Sequence, residues 1–335
     1  MGRIKEERMN ILKNKKLLKW ALDNIVWFIL LALIIIFSQI IPGFNQWSIY
    51  RNILLHSVFI GILGIAGGIC IISKEMDLST ESVMALSAVV TAYLAGTSSD
   101  ASGLLLNGAT TLLIVLAMGV FIGLFNGFFI IKMKINSFII TLAGYLMFRA
   151  VGLVISGGRG VVGISKDIVA VARTSIGPLP LLVIILITVY GIFHLFLSKA
   201  KFGRYIYFIG DDREASYNAG IRIDKVLFGV FVLSSVLSAF AGWLMAARIN
   251  GCSPSLGMGM LFEAMAAVVI GGVSLQGGVG KLTGVFAGAI LLSSISTVIN
   301  IVGLNPFYIN IIRGSLIIFA VLLDAVIRQV RSKII

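Results

Sequence analysis

Residues 25–50, 104–131 and 226–247 each run without a single charged side chain. A bilayer's hydrocarbon layer is crossed by a helix of about 20 apolar residues. Inside it every backbone amide and carbonyl must find a partner within its own segment or within a closed barrel. The period-2 alternation of a transmembrane barrel strand is absent here, so helices remain. The composition agrees: 59% of the residues are hydrophobic and 12% charged, against about 25% charged in a soluble domain. The expected fold is therefore all-α: a polytopic helical membrane protein with about ten transmembrane helices and both termini cytoplasmic.

The expected spans fall at 21–41, 52–73, 78–96, 104–131, 138–155, 179–198, 226–247, 261–273, 282–301 and 306–327. They form one transmembrane domain over 21–328, flanked by a basic segment at 1–20 and a short tail at 329–335. The eighth span is short and runs into GGVSLQGGVG, the pattern of a broken or re-entrant helix. Gly119, Gly123 and Gly127 recur every four residues, on one face of the fourth span, and predict a seam where another helix approaches closely. Gly280, Gly284 and Gly288 repeat the pattern in the ninth span.

The net charge of +13 does not indicate nucleic acid. Most Lys and Arg lie in the loops assigned to the cytoplasm, as membrane orientation requires, and no soluble domain carries them. Cys70 and Cys252 form no CxxC, and the two histidines, His56 and His194, have no second ligand at metal-binding spacing. GRGVVG at 158–163 matches a dinucleotide fingerprint but lacks the strand–turn–helix setting that gives the pattern meaning. Gly280-Lys281 lacks the earlier glycine and the following Ser or Thr of a phosphate-binding P-loop. The chain reads as a non-enzyme that binds no cofactor of its own.

One long polar interruption stands out, KAKFGRYIYFIGDDREASYNAGIRIDK at 199–225, with charges of both signs. Residues 211–219 read as a short helix capped by Asp211 or Asp212 and ended by Gly220 in a left-handed conformation. Polar residues at plausible membrane depth give the candidates for a translocation path: Asp77, Ser79, Asn126, Thr141, Arg149 and Glu263. Glu263 is expected at the outer mouth of the eighth span, facing water. Buried, it would instead suit an ion-coupled carrier, with Arg248 or Arg149 as counter-charge.

Several stretches together resemble the permease subunits of bacterial ABC importers of the ribose/xylose/galactose type. They are FEAMAAVVIGGVSLQGGVGKLTGVFAGAIL at 262–291, GLFNGFFIIKMKINSFIITLAGYLMFRAVGLVISGG at 123–158, IRGSLIIFAVLLDA near the C-terminus, and Met76–Ser79 with Val83–Leu86. In the polar loop Gly203, Arg204, Gly210, Ala215, Gly220 and Ile221 match as well. The resemblance implies a permease that imports a monosaccharide or similar small polar solute across the bacterial cytoplasmic membrane. It implies three partners: a separate ATPase that binds ATP and magnesium, an extracytoplasmic solute-binding protein, and a second permease copy. It makes the polar loop the ATPase-coupling element, with Gly203, Arg204, Gly210, Asp211, Asp212, Glu214, Ala215, Ser216, Ala219, Gly220 and Ile221 as its residues. The alternatives are a nucleoside or branched-chain amino-acid permease of the same importer type, or an ion-coupled carrier. The chain departs from the family pattern at Ser73–Glu75, Glu81, Asn136, Asp212, Ser216 and Glu263.

Overall fold

The computed structural model describes residues 24–303 except Asp100 and Pro254, with single positions between 311 and 325. The basic segment at 1–20 and the tail at 329–335 lie outside the described residues, and so does most of the expected span at 306–327.

The chain is helical almost throughout. In order come α1 (Ile25–Ile40), α2 (Trp47–Ile72), α3 (Thr80–Ala95) and α4 (Gly108–Gly127), which continues into a π-turn at Phe128–Lys132. Then follow α5 (Ser137–Ser156), strand β1 (Val161–Val162), α6 (Lys166–Arg173), β2 (Ser175–Ile176), β3 (Leu179–Pro180) and α7 (Leu181–Lys199). The last part holds α8 (Lys201–Asp211), α9 (Arg213–Asn218), α10 (Ile223–Ile249), β4 (Gly251–Cys252), α11 (Met260–Ile270) and α12 (Leu282–Val302). Among the described residues six helices, counting α4 with its π-turn as one, are long and apolar enough to cross a bilayer.

Helix α2 is the axis. From Ser57 to Ile72 every residue is buried, so it is apolar on all sides and has no lipid-facing stripe. Its glycines let neighbours close in: Gly61 lies under Leu186 and Tyr190 of α7, Gly64 under Val285 of α12, and Gly68 under Val268 of α11. The Tyr190 hydroxyl donates to the Gly61 carbonyl at 3.1 Å, joining α7 to the axis.

The two expected glycine seams are present. Gly119, Gly123 and Gly127 pack on α10, where a Cβ at Gly123 would collide with the Val232 backbone. Gly284 meets Gly271, and Gly288 meets the Ala267 backbone, which draws α12 against α11. Gly280 instead packs on Val273, within the turn between those helices.

The helices share two ends. At one, β1 pairs with β4 (Val161 opposite Cys252) and Gly96 bridges to Ile164. This ribbon end gives GRGVVG a structural role as a strand. There Asp167 accepts from the Ser165 hydroxyl and from the Gly108 amide at the start of α4. Those hydrogen bonds, Ser165 foremost, hold its carboxyl below the usual range. At the other end Ile72, Gly210 and Gly278 meet, and the Gly278 amide donates to the Ile72 carbonyl at 2.9 Å.

Three of the described apolar helices are shorter than a full span. With 16, 16 and 11 residues, α1, α3 and α11 reach about 24, 24 and 16 Å at 1.5 Å per residue, and of these α3 and α11 begin inside the bundle. The break expected around the eighth span is thus real, and α3 is a second partial helix, shorter than the expected span at 78–96. The polar segment 199–225 also differs from expectation, because it contains α8 as well as the short helix. Its apolar Ile206 and Ile209 sit three residues apart and are buried against the bundle, while Lys201, Arg204 and Phe208 face outward. That amphipathic spacing is masked in the sequence by the charges on either side. The short helix begins at Arg213 with Asp212 as its cap, and Gly220 takes φ +77° as expected.

The seam between α4 and α10 is directly testable. Gly123→Leu should lower the thermal stability of the detergent-purified protein by about 1–3 kcal/mol, the cost of overpacking. Gly191→Leu, where a Cβ would meet no atom within 4 Å, should leave it unchanged.

Candidate functional site

The polar residues of the interior gather around the break between α2 and α3, residues 73–79. Backbone that leaves a helix at membrane depth needs partners for its free amides and carbonyls. Asp77, only 1% exposed, supplies one of them and ties in two side chains besides. Its Oδ1 accepts from the Ser79 amide at 2.9 Å and the Ser79 hydroxyl at 2.6 Å. Its Oδ2 accepts from the Ser234 hydroxyl of α10 at 2.7 Å. Asn126 of α4 donates through Nδ2 to the Ser79 hydroxyl at 3.2 Å. Thr141 of α5 donates to the Met76 carbonyl at 3.3 Å, and the Met76 amide donates to the Ser137 hydroxyl at 3.3 Å. Three helices, α4, α5 and α10, therefore converge on a segment of four residues, Met76–Ser79.

One turn further on, Glu81 is fully buried in the first turn of α3. Its Oε2 accepts from the amides of Gly259 and Leu261 at 3.0 and 2.9 Å. Those are free amides at the start of α11, where the helix dipole also favours a negative charge. Its Oε1 accepts from the Arg149 guanidinium of α5 at 2.7 Å, and Arg149 donates on to the Leu256 carbonyl at 3.3 Å. The two partial helices thus meet by their N-terminal ends inside the bundle, with a carboxylate and a guanidinium between them. Partial helices that point their N-termini into the bundle are the usual setting of solute sites in transporters.

Of the six path candidates, Asp77, Ser79, Asn126 and Thr141 lie in one network, and Arg149 lies beside it through Glu81. Glu263 does not join them. It is 4% exposed, not open to water as expected, and its Oε1 accepts from the Ser296 hydroxyl of α12 at 3.2 Å. A place in the first turn of α11 makes a buried carboxylate there electrostatically favourable. Arg149 pairs with Glu81, and Arg248 donates to the Leu55 carbonyl at 2.9 Å with its guanidinium over the Phe59 ring. Ser234 and Ser137 are network members that residue-by-residue reading missed. The signal available was weak, a Ser234-Ser235 pair inside an otherwise apolar span.

At the opposite extreme of polarity, α8 and α9 build a projection at the charged end. Asp212 caps α9 by accepting from the Ala215 amide at 2.9 Å. Arg204, Asp211, Asp212, Glu214, Ala215, Ala219 and Gly220 are exposed and Ile221 is half-buried. Gly203, Gly210 and Ser216 face inward instead. Gly203 packs on the end of α7, and Gly210 against the carbonyl of Ile72 and the amide of Gly278. Tyr217, not among the expected residues, is 73% exposed on the outer face of α9. The Arg213 guanidinium turns back and pairs with Glu75 in the break.

The Glu81–Arg149 pair should behave as a buried pair. Glu81→Ala or Arg149→Ala should each cost about 3–5 kcal/mol, because either leaves an uncompensated charge. The double substitution should cost clearly less than the sum, as read from thermal unfolding in detergent around a double-mutant cycle.

The sequence profile of the family described as branched-chain amino acid transport system / permease component matches residues 49–321. Among curated proteins, the ribose import permease protein RbsC of Escherichia coli is 31% identical over 310 residues, covering 91% of this chain and 94% of its own. The galactose/methyl galactoside import permease protein MglC of Salmonella typhimurium is 33% identical over 341 residues, 97% of this chain and 100% of its own. The xylose transport system permease protein XylH of Haemophilus influenzae is 31% identical over 340 residues, 82% and 88% respectively. No solved structure matches. With a profile match across most of its length and relatives matched nearly end to end, the chain belongs to the branched-chain amino acid transport system / permease component family.

Proposed function

We propose that this chain is the membrane-spanning subunit of an ABC importer that moves a monosaccharide into a bacterial cell. The observation that carries the reading is the nearly full-length likeness to permeases for ribose, galactose and xylose. The interior supports it. Asp77, Ser79, Asn126 and Ser234 offer hydrogen-bonding groups in a buried setting, and Asn126 Oδ1 has no partner of its own among the described residues. A hydroxyl of a solute could pair with that oxygen, which a branched aliphatic side chain could not.

The charge distribution supports the orientation. Lys74, Lys132, Lys134, Lys199, Lys201, Arg204, Arg213, Arg222 and Lys225 are drawn from the loops at the end that carries α8 and α9. By the positive-inside rule that end is cytoplasmic and the ribbon end faces out. The full chain then has about ten membrane helices, with α3 and α11 beginning inside the bundle, and both termini in the cytoplasm of the cell.

The mechanism follows from this arrangement. A solute-binding protein delivers sugar at the ribbon end. A separate ATPase, holding ATP and magnesium, docks on α9 through the exposed face of Ala215, Tyr217 and Ala219. Small residues let the surfaces approach and the aromatic ring fills a pocket on the partner, while Arg204, Asp211 and Glu214 set its register. Two permease copies enclose the path, and ATP-driven rearrangement of the ATPase moves α8 and α9 to switch access between the two sides. Glu81 and Arg149 hold α3, α5 and α11 together in the state described here.

The test is affinity purification from the native membrane in mild detergent. An ATPase subunit and a sugar-binding protein should accompany the chain. Ala215→Trp or Tyr217→Ala should reduce ATPase recovery by about tenfold or more, the effect of losing an interface anchor, with membrane insertion intact. Full ATPase recovery with both variants would contradict α9 as the docking element.

A further inference from the structure

Glu75 and Arg213 belong to neither the interior network nor the exposed docking face. Glu75 lies in the break, at a position where the sequence departs from the family's apolar run. Its amide donates to the Cys70 carbonyl at 2.9 Å, and its side chain is 10% exposed. Arg213 is the first residue of α9 and the side chain by which that helix reaches back to the bundle.

We propose that the Glu75–Arg213 ion pair is the positioning contact through which movement of the docking helix reaches the solute path, so that it sets how much sugar moves per ATP. The proposal rests on the importer reading and adds the residues that transmit the motion. Glu81 follows Glu75 by six positions, a stretch of at most about 20 Å even when fully extended. Within it Met76 is tied to α5, Asp77 to α10, Ser79 to α4, and Glu81 to α5 and the start of α11. A pull on Glu75 therefore acts on a segment already gripped by every helix of the polar network, with little slack to absorb it.

A second contact of the projection, with the end of α2 and the turn between α11 and α12, is of another kind. Gly210 lies flat against Ile72 and Gly278, backbone on backbone, with no room for a side chain. Steric contact of this sort transmits a push. It gives the break no attraction to follow a pull, and the hydrogen bond beside it, from the Tyr207 hydroxyl to the Gly280 carbonyl at 3.0 Å, ties α8 to the turn between α11 and α12 instead. The ion pair supplies that attraction, and its location at the first residue of α9 places it where the partner's motion enters. Glu75 is shielded, whereas the Arg213 side chain is 47% exposed, so the link can form and break as the projection moves.

The experiment uses proteoliposomes holding the chain with its co-purified ATPase and binding protein, loaded with labelled ribose, galactose or xylose, whichever the unmodified complex moves. Glu75→Gln, Glu75→Arg and the exchange Glu75→Arg with Arg213→Glu are compared for ATPase retention, ATP hydrolysis and sugar moved per ATP. Both single variants should retain the ATPase and hydrolyse ATP within about twofold of the unmodified complex, while sugar moved per ATP falls by about tenfold or more, within the range of coupling between distinct sites. The exchange should recover most of that loss, which a merely structural role for Glu75 would not do. An unchanged ratio in Glu75→Arg overturns the proposal. So does an exchange that keeps the ATPase but recovers nothing, and so does loss of the ATPase itself from Glu75→Gln.

Discussion

A carboxylate seated on the first amides of a buried half-helix is the contact on which this architecture turns. Away from water, the start of α11 exposes N–H groups that no helical carbonyl can reach. Glu81 accepts from two of them and is neutralised by Arg149. Without that closure the break before α3 and the loop before α11 would both leave polar backbone stranded in an apolar interior, at a cost of several kcal/mol. Asp77 performs the same service for the preceding turn. Two acidic residues thus permit irregular backbone deep in the bundle, where a transport path needs helices that end part-way.

The rest of the bundle is held by proximity. Lipid is as apolar as leucine, so burial against another helix gives no hydrophobic gain, and close packing must supply the attraction. That explains why glycine stands wherever two helices touch: Gly123 on Val232, Gly284 on Gly271, Gly288 on Ala267, Gly61 beneath Tyr190. It also explains why α2 can be surrounded by protein, since its glycines admit α7, α11 and α12 to its backbone.

Much of this was legible in the sequence. Charge-free windows gave the helices, four-residue glycine spacing gave the seams, and the cap of α9 could be narrowed to Asp211 or Asp212, of which the structure takes Asp212, and its terminator to Gly220. The short run before GGVSLQGGVG disclosed α11 as a partial helix. What stayed hidden were relations between distant segments. Glu81 could be seen as an odd acid at membrane depth, but its amide partners lie 178 and 180 residues away. The burial of Glu263 depends on α12, which brings Ser296 to it across 33 residues. Helix α8 was obscured because surrounding charges outweighed the three-residue spacing of Ile206 and Ile209. Spacing along one chain reports a helix's faces; it does not report which faces meet.

Function in this account is carried by connection between the two regions, a polar node inside the bundle and a projecting helix outside it. In the proposed importer energy enters through a partner ATPase, and in the alternative, an ion-coupled carrier, through an ion gradient. Uptake of labelled ribose, galactose or xylose into proteoliposomes separates these most directly. The account predicts sugar accumulation only when the ATPase, the binding protein and ATP are all present, independent of sodium and proton gradients. Accumulation by this chain alone, driven by an ion gradient and abolished by Glu263→Gln, would contradict it.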